Sequence, residues 1–142
     1  MPLISLRIEP PPTHQAALRI LKNKKTGAMF VGKMAKSSAK KWGVEFTALL
    51  REAKTKFQVK TYEEATRVGI VFVYPHTKQS AKAGHSIPKT TRPDVDNLAK
   101  SVLDCMVDAG WLTDDNLIVE LILKKIHSET AQVVIDIDDY VE

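Results

Sequence analysis

The stretch RPDVDNLAKSVLDCMVDAGWLTDDNLIVE, Arg92–Glu120, sets the order of elements around which the rest of the chain is arranged. Leu98, Val102, Leu103, Met106 and Val107 recur at helical intervals, so the spacing predicts a helix with one apolar face. Gly110 follows as a natural C′ residue, because glycine adopts the left-handed conformation that closes a helix. The chain then turns back through Gly110–Trp111 into a strand predicted over Leu117–Ile126. On the opposite face of the helix, Asp96, Lys100, Asp104 and Asp108 follow one another at i, i+4 spacing. Asp96 occupies the position expected of the N-cap.

Upstream, Val68–Tyr74 is apolar and β-branched and reads as a buried central strand. Pro75–Pro93, between that strand and the helix, is polar, basic and without periodicity. A connection of this length inside a compact domain is usually functional or mobile. Ser37 or Ser38 caps a helix predicted to run to about Lys56, with Trp42, Phe46, Leu49, Leu50 and Ala53 on its apolar face. Ala17–Leu21 and Ala28–Val31 flank NKKTG, a turn-forming segment, which predicts a hairpin. Leu3–Glu9 alternates apolar and polar residues until Pro10–Pro12 stop it, and Gln132–Ile137 alternates strictly. The expectation is an α+β fold, a small mixed β-sheet with two main helices packed on it, forming a single domain over residues 1–142.

Composition narrows the function classes. Met1–Pro12 lacks the features of a secretory signal, and the longest apolar runs, such as GIVFVY, are far below a membrane span. The lone Cys105 rules out an internal disulfide, lies in the apolar helical pattern as a core residue, and suits a reducing cytoplasm. The net charge of +4 conceals a strong asymmetry. Met1–Lys60 carries thirteen Lys/Arg against three acids, a balance of +10, whereas Ser101–Glu142 carries two against ten, a balance of −8. Such a division suggests a basic surface for a polyanion beside a separate acidic site, although a solvated charged face would leave the same trace.

Six aspartates stand between Arg92 and Asp115, with Lys100 among them. Asp94 and Asp96 flank one residue, so in an extended segment their carboxylates point the same way and can share a target. Carboxylate-only clusters suit hard cations such as Mg²⁺ or Mn²⁺, whose shells are completed by water and phosphate oxygens. The absence of His and Cys from the cluster argues against zinc. A calcium EF-hand is excluded, because from Asp94 the sixth position is Ala99 and the twelfth is Cys105. Each aspartate alone also fits a structural role: a cap, a solvated helix face or a turn.

The pattern RPDVDNLAKSVLD…AGWLTDDNLIVE resembles the RusA-like Holliday junction resolvases, small endodeoxyribonucleases of bacteria and their prophages. The resemblance is close over Arg92–Glu120 and covers the remainder only in outline. It implies that Asp94, Asp96 and Asp115 are catalytic, metal-binding acids, that Lys100 is an essential lysine, and that Asp104 and Asp114 are supporting acids. The PPTHQAAL run lacks the asparagine that the family often carries there. With the resemblance come Mg²⁺ (or Mn²⁺) as cofactor, a branched four-way DNA junction as substrate, a homodimer making paired symmetric nicks, no membrane association, and a cytoplasmic setting, bacterial or phage-encoded.

The basic half and the loop before Asp94 supply the candidate DNA-binding residues Lys33, Lys36, Lys40, Lys41, Lys89 and Arg92, which would hold phosphates without reading sequence. Trp42 and Trp111 are expected in the core, and His76 and His85 on the surface. Three other functions share parts of this pattern: a structure-selective nuclease for other branched DNA, a non-catalytic DNA-binding protein, and a nucleotidyltransferase. The last needs a Gly-Ser turn upstream, and the nearest candidate, AGHS at Ala83–Ser86, meets a proline, Pro88, after one residue.

Overall fold

The computed structural model describes residues 3–12, 18–22, 29–33 and 37–142. Strands β1 (Ile4–Leu6), β2 (Leu18–Lys22) and β3 (Met29–Lys33) precede helix α1 (Ser37–Lys56) and strand β4 (Thr66–Pro75). The short helix α2 (Lys78–Ala81) and strand β5 (Ile87–Pro88) come next, followed by helix α3 (Val95–Asp108), a 3-10 turn at Asp115–Leu117, β6 (Ile118–Ser128) and β7 (Gln132–Asp139). The five-stranded sheet has the order β1-β7-β4-β6-β5, and β2 and β3 form a separate antiparallel pair. β4 runs parallel to β6 and antiparallel to β7, so the sheet is mixed. The expected α+β class holds.

Pattern and position agree closely. β4 is central, flanked along its length by β6 and β7, and its Val68, Ile70 and Phe72 are fully buried under the helices. In β7 the alternation places Val133, Ile135 and Ile137 in the core, with Val134, Asp136 and Asp138 on the other face. α1 contributes Trp42, Phe46, Leu50 and Ala53, and α3 contributes Leu98, Val102, Cys105 and Met106, to the same core cluster. Each fully buried large side chain of this kind stabilises the fold by about 1.5–3 kcal/mol. Trp42 and Phe46 stack at 4.6 Å between ring centroids. Cys105 is buried as expected, which pushes its thiol pKa up and keeps it inert.

The end of α3 is closed tightly. Gly110 has φ +82°, the left-handed conformation anticipated for it. The Trp111 backbone N–H donates to the Met106 carbonyl at 2.9 Å, and its indole Nε1–H donates to the Leu50 carbonyl at 2.9 Å. Its own carbonyl accepts from the Tyr62 N–H. Trp111 thereby ties α1, α3 and the segment before β4 together while being fully buried.

Three expectations need adjusting. The Pro75–Pro93 connection is not structureless: it holds α2, whose Thr77 and Ser80 form a reciprocal capping box, and β5, which pairs with β6. The N-cap residue of α3 is Asp94, not Asp96, which lies in the first turn. Pro93 explains this, since its ring favours an extended approach that lets the helix begin two residues later. Ala17 and Ala28, at the ends of the predicted hairpin strands, lie outside the described residues.

Candidate active site at the head of helix α3

The segment that carries the acids is held by side chains from elsewhere in the fold. Lys125, on the helix-facing side of β6, donates from Nζ to the carbonyls of Thr91 and Pro93, both at 2.7 Å. The Lys89 N–H donates to the Lys125 carbonyl at 3.1 Å, and the Lys89 ammonium reaches the Thr91 hydroxyl at 2.7 Å. These contacts lash the Arg92–Asp94 approach to the C-terminal half of β6. The Lys89 ammonium also lies 4.8 Å from the centre of the Tyr74 ring. Burial lowers the Lys89 pKa, and the nearby Lys125 charge lowers it further.

Asp94 and Asp96 emerge from this scaffold exposed. Asp94 takes the N-cap position with extended backbone, yet its side chain makes no capping bond. Among the described residues, the Asp96 carboxylate has no hydrogen-bond or ion-pair partner either. Free carboxylates at a helix N-terminus are favoured by its dipole. Lys100 is exposed one turn beyond Asp96, without an ion pair among the described residues, and Arg92 is exposed just before Asp94. The head of α3 therefore presents two uncommitted carboxylates among Lys89, Arg92, Lys100 and Lys125, an arrangement suited to a divalent cation and a phosphate together.

The other sequence-derived residues fall in different places. Asp104 and Asp108 lie further along the exposed face of α3, beside a groove of about 500 Å³ between α1 and α3. Lys40 and Arg51 border the same groove, and the buried Ser101 hydroxyl there lacks a hydrogen-bond partner. The Asp114 carboxylate caps the 3-10 turn, accepting from the Asn116 N–H at 3.0 Å, a local structural role. Asp115 is exposed on that turn, immediately before β6, whereas Lys125 holds Pro93 near the other end of the strand. Among the described residues, no three His, Cys, Asp or Glu side chains gather closely enough to hold a metal ion. In the single chain, Asp94, Asp96 and Asp115 do not form a ready-made cage.

A second cleft, of about 470 Å³, opens beside Pro93 and is walled by Pro10–Pro12, Trp42, Tyr74 and Lys41. Lys41 and Lys89 thus flank the approach to Asp94, while Lys40 faces the neighbouring groove. Lys33 is described only in its backbone, on β3, and Lys36 lies outside the described residues. Within the cleft the Tyr74 hydroxyl is buried without a partner, and desolvation pushes its pKa up to about 12. Trp42 and Trp111 are core residues as expected, the former donating from Nε1 to the Glu9 carbonyl at 2.7 Å. His85 is exposed and His76 half-buried against Ser80.

Lys125 and Tyr74 were missed by reasoning from sequence. A signal existed for the first: Leu121, Leu123 and Lys125 share one face of β6, and a lysine at the end of an inward series needs a polar partner. Tyr74 ends a continuous apolar run and carries no comparable mark.

A family model described as Endodeoxyribonuclease RusA matches residues 8–138, taking in β2 to β6, β7 but for Asp139, the helices α1, α2 and α3, and all six aspartates of the Arg92–Asp115 stretch. The chain belongs to the RusA endodeoxyribonuclease family. It is also similar to a protein of Lactococcus phage r1t named Crossover junction endodeoxyribonuclease rusA, with 41% identity over 51 residues. The aligned part amounts to 36% of this chain and 39% of that RusA relative. Among the described residues, no helix is long and apolar enough to cross a membrane.

Proposed function

We propose that this RusA-family chain is a metal-dependent endodeoxyribonuclease that resolves four-way DNA junctions by paired, symmetric hydrolytic nicks. The observation that carries the reading is the pair of solvent-facing, unpartnered carboxylates at the head of α3, Asp94 and Asp96, surrounded by cations. All-oxygen donors of this kind fit Mg²⁺, with Mn²⁺ as a substitute. Asp94 and Asp96 would hold the ion, and Asp115 would be a ligand only in an assembly that brings it to them. An ion bound there would neutralise charge at the scissile phosphate and acidify the attacking water.

The chain's own side chains account for the remaining tasks. Lys100, one turn from Asp96, meets the charge that develops on the phosphate oxygens. Lys125 and Lys89 hold the Arg92–Asp94 segment in place, so the carboxylates need not be ordered when substrate binds. Lys33, Lys36, Lys40, Lys41, Lys89 and Arg92 contact phosphates on the junction arms. Asp104 is a supporting acid further along α3, while Asp114 acts through its cap on the turn that carries Asp115. No side chain at the head of α3 is suited to form a covalent intermediate, so hydrolysis is direct. A four-way junction has approximate two-fold symmetry, and two matched nicks call for a C₂ homodimer. The setting is the cytoplasm of a bacterium, with the gene of host or phage origin.

The test is cleavage of a synthetic four-way junction with Mg²⁺, against a linear duplex of the same sequence. Junction-selective, paired nicks that vanish with chelator and with Asp96→Asn support the proposal. Equal cleavage of flaps or forks would redirect it to a broader branched-DNA nuclease, and binding without cleavage would end it.

A further inference from the structure

The two edges of the main sheet are protected unequally. At the β1 side, the part of β7 that β1 leaves unpaired carries Asp136, Asp138 and Asp139, which repel a like strand. At the other side, β5 pairs with β6 only at Ile126 and His127, with one further backbone bond at Lys125. From Val119 to Lys124 the outer edge of β6 is open, and Val119 (56% exposed), Ile122 (53%) and Leu121 (39%) lie bare upon it. A long apolar edge of this kind is a template for another strand.

Backbone parity restricts what that strand can be. The Lys125 carbonyl points outward to Lys89, so by alternation the N–H and C=O groups of Leu123 and Leu121 also face the open edge. An antiparallel copy must place outward groups opposite outward groups, which forces the two-fold axis through a residue rather than between two. The open stretch runs between the bulge near Thr66/Arg67 and the β5 contact at Lys125, and Ile122 is at its middle. Centring on Ile122 sets Leu121 against Leu123 of the second copy and Glu120 against Lys124, twice by symmetry. Shifting the axis one residue either way sets Glu120 against an isoleucine instead. Charge and apolar pattern select the same register.

We infer that the free edge of β6 pairs antiparallel with β6 of a second copy of this chain, with Ile122 on the two-fold axis and Glu120 opposite Lys124. This rests on the homodimer in the proposed function and gives it a surface. The pairing continues the five-stranded sheet of each copy into one of ten strands.

The test uses mass in solution and a register-specific cross-link. Ile122→Cys brings two sulfurs together at about 4.5–5.5 Å between Cα atoms, within disulfide range. Mild oxidation should therefore link it into covalent dimers. Lys124→Cys should not link to itself, because its copy lies about 13 Å away along the strand. The native Cys105 is buried and stays out of the reaction. By light scattering, Lys124→Glu should raise the dimer dissociation constant roughly tenfold by setting two carboxylates face to face, with Glu120, which also bridges to Arg67 of its own chain at 3.2 Å, left in place. Circular dichroism of each variant confirms that the fold is intact. A dimeric wild type whose Ile122→Cys form fails to cross-link overturns the β6 interface while leaving the two-fold reading standing. A wild type that remains a single chain at all concentrations overturns both, and the cleavage assay judges the nuclease proposal separately.

Discussion

The two ends of α3 treat their polar groups in opposite ways. At the C-terminal end the backbone N–H groups and the indole are spent on the fold: Ala109 donates to Cys105, Gly110 to Val107, Trp111 to Met106, and the Trp111 indole to Leu50. At the N-terminal end, Asp94 declines the capping bond its position invites, and Asp96 and Lys100 stand exposed without partners among the described residues. One end turns its backbone groups and Trp111 into the fold, while the other is left with unmet capacity. Stability should therefore reside at one end and chemistry at the other, and substitutions can separate the two.

The largest effect is expected from the acids. Asp94→Asn, Asp96→Asn and Asp115→Asn should each reduce junction cleavage by about a thousandfold or more, with the melting temperature and junction affinity little changed. A melting temperature that fell in step with activity would erase the distinction between the ends. Trp111→Phe should do the reverse. It removes the indole hydrogen bond and part of the buried volume, and should cost roughly 2 kcal/mol of stability by denaturant titration. Activity per folded molecule should be retained.

Lys100→Ala should lower the cleavage rate by about a hundredfold while changing affinity by far less, measured under single-turnover conditions. The smallest effect is that of pH on binding. The Lys89 pKa is lowered by burial and then by Lys125, so its positive charge is lost at lower pH than that of an ordinary lysine. Junction affinity should therefore fall sooner, as pH rises into the alkaline range, in the wild type than in Lys89→Arg, whose charge persists. Identical pH profiles would remove Lys89 from the phosphate-binding surface.

Much of this contrast was legible locally. The period of Leu98, Val102 and Met106, the stop at Gly110, the strict alternation of Val133–Ile137 and the apolar face of α1 are short-range patterns, and each survives in the structure. What failed to show was long-range. Nothing near Lys125 says that it will bind the carbonyls before Asp94, more than thirty residues earlier in the chain. The parallel pairing of β4 with β6 and the placement of β7 between β1 and β4 are likewise set by tertiary competition rather than by adjacent residues. The separation of Asp115 from Asp94 and Asp96 has the same origin. Spacing along the sequence matched the family pattern, but it does not measure distance across a helix and a returning strand.

The position of β7 also governs how the protein comes into being. β7 follows the other four strands of this sheet in the chain, yet it is not an edge but fills the gap between β1 and β4, so during synthesis the sheet waits in two pieces for its keystone. Until Val133, Ile135 and Ile137 emerge from the ribosome, β4 has one long flank unsatisfied. Acquisition of the native sheet is therefore expected to await β7 and to be nearly all-or-none, and deletion of β7 should yield an aggregating chain rather than a weakened enzyme.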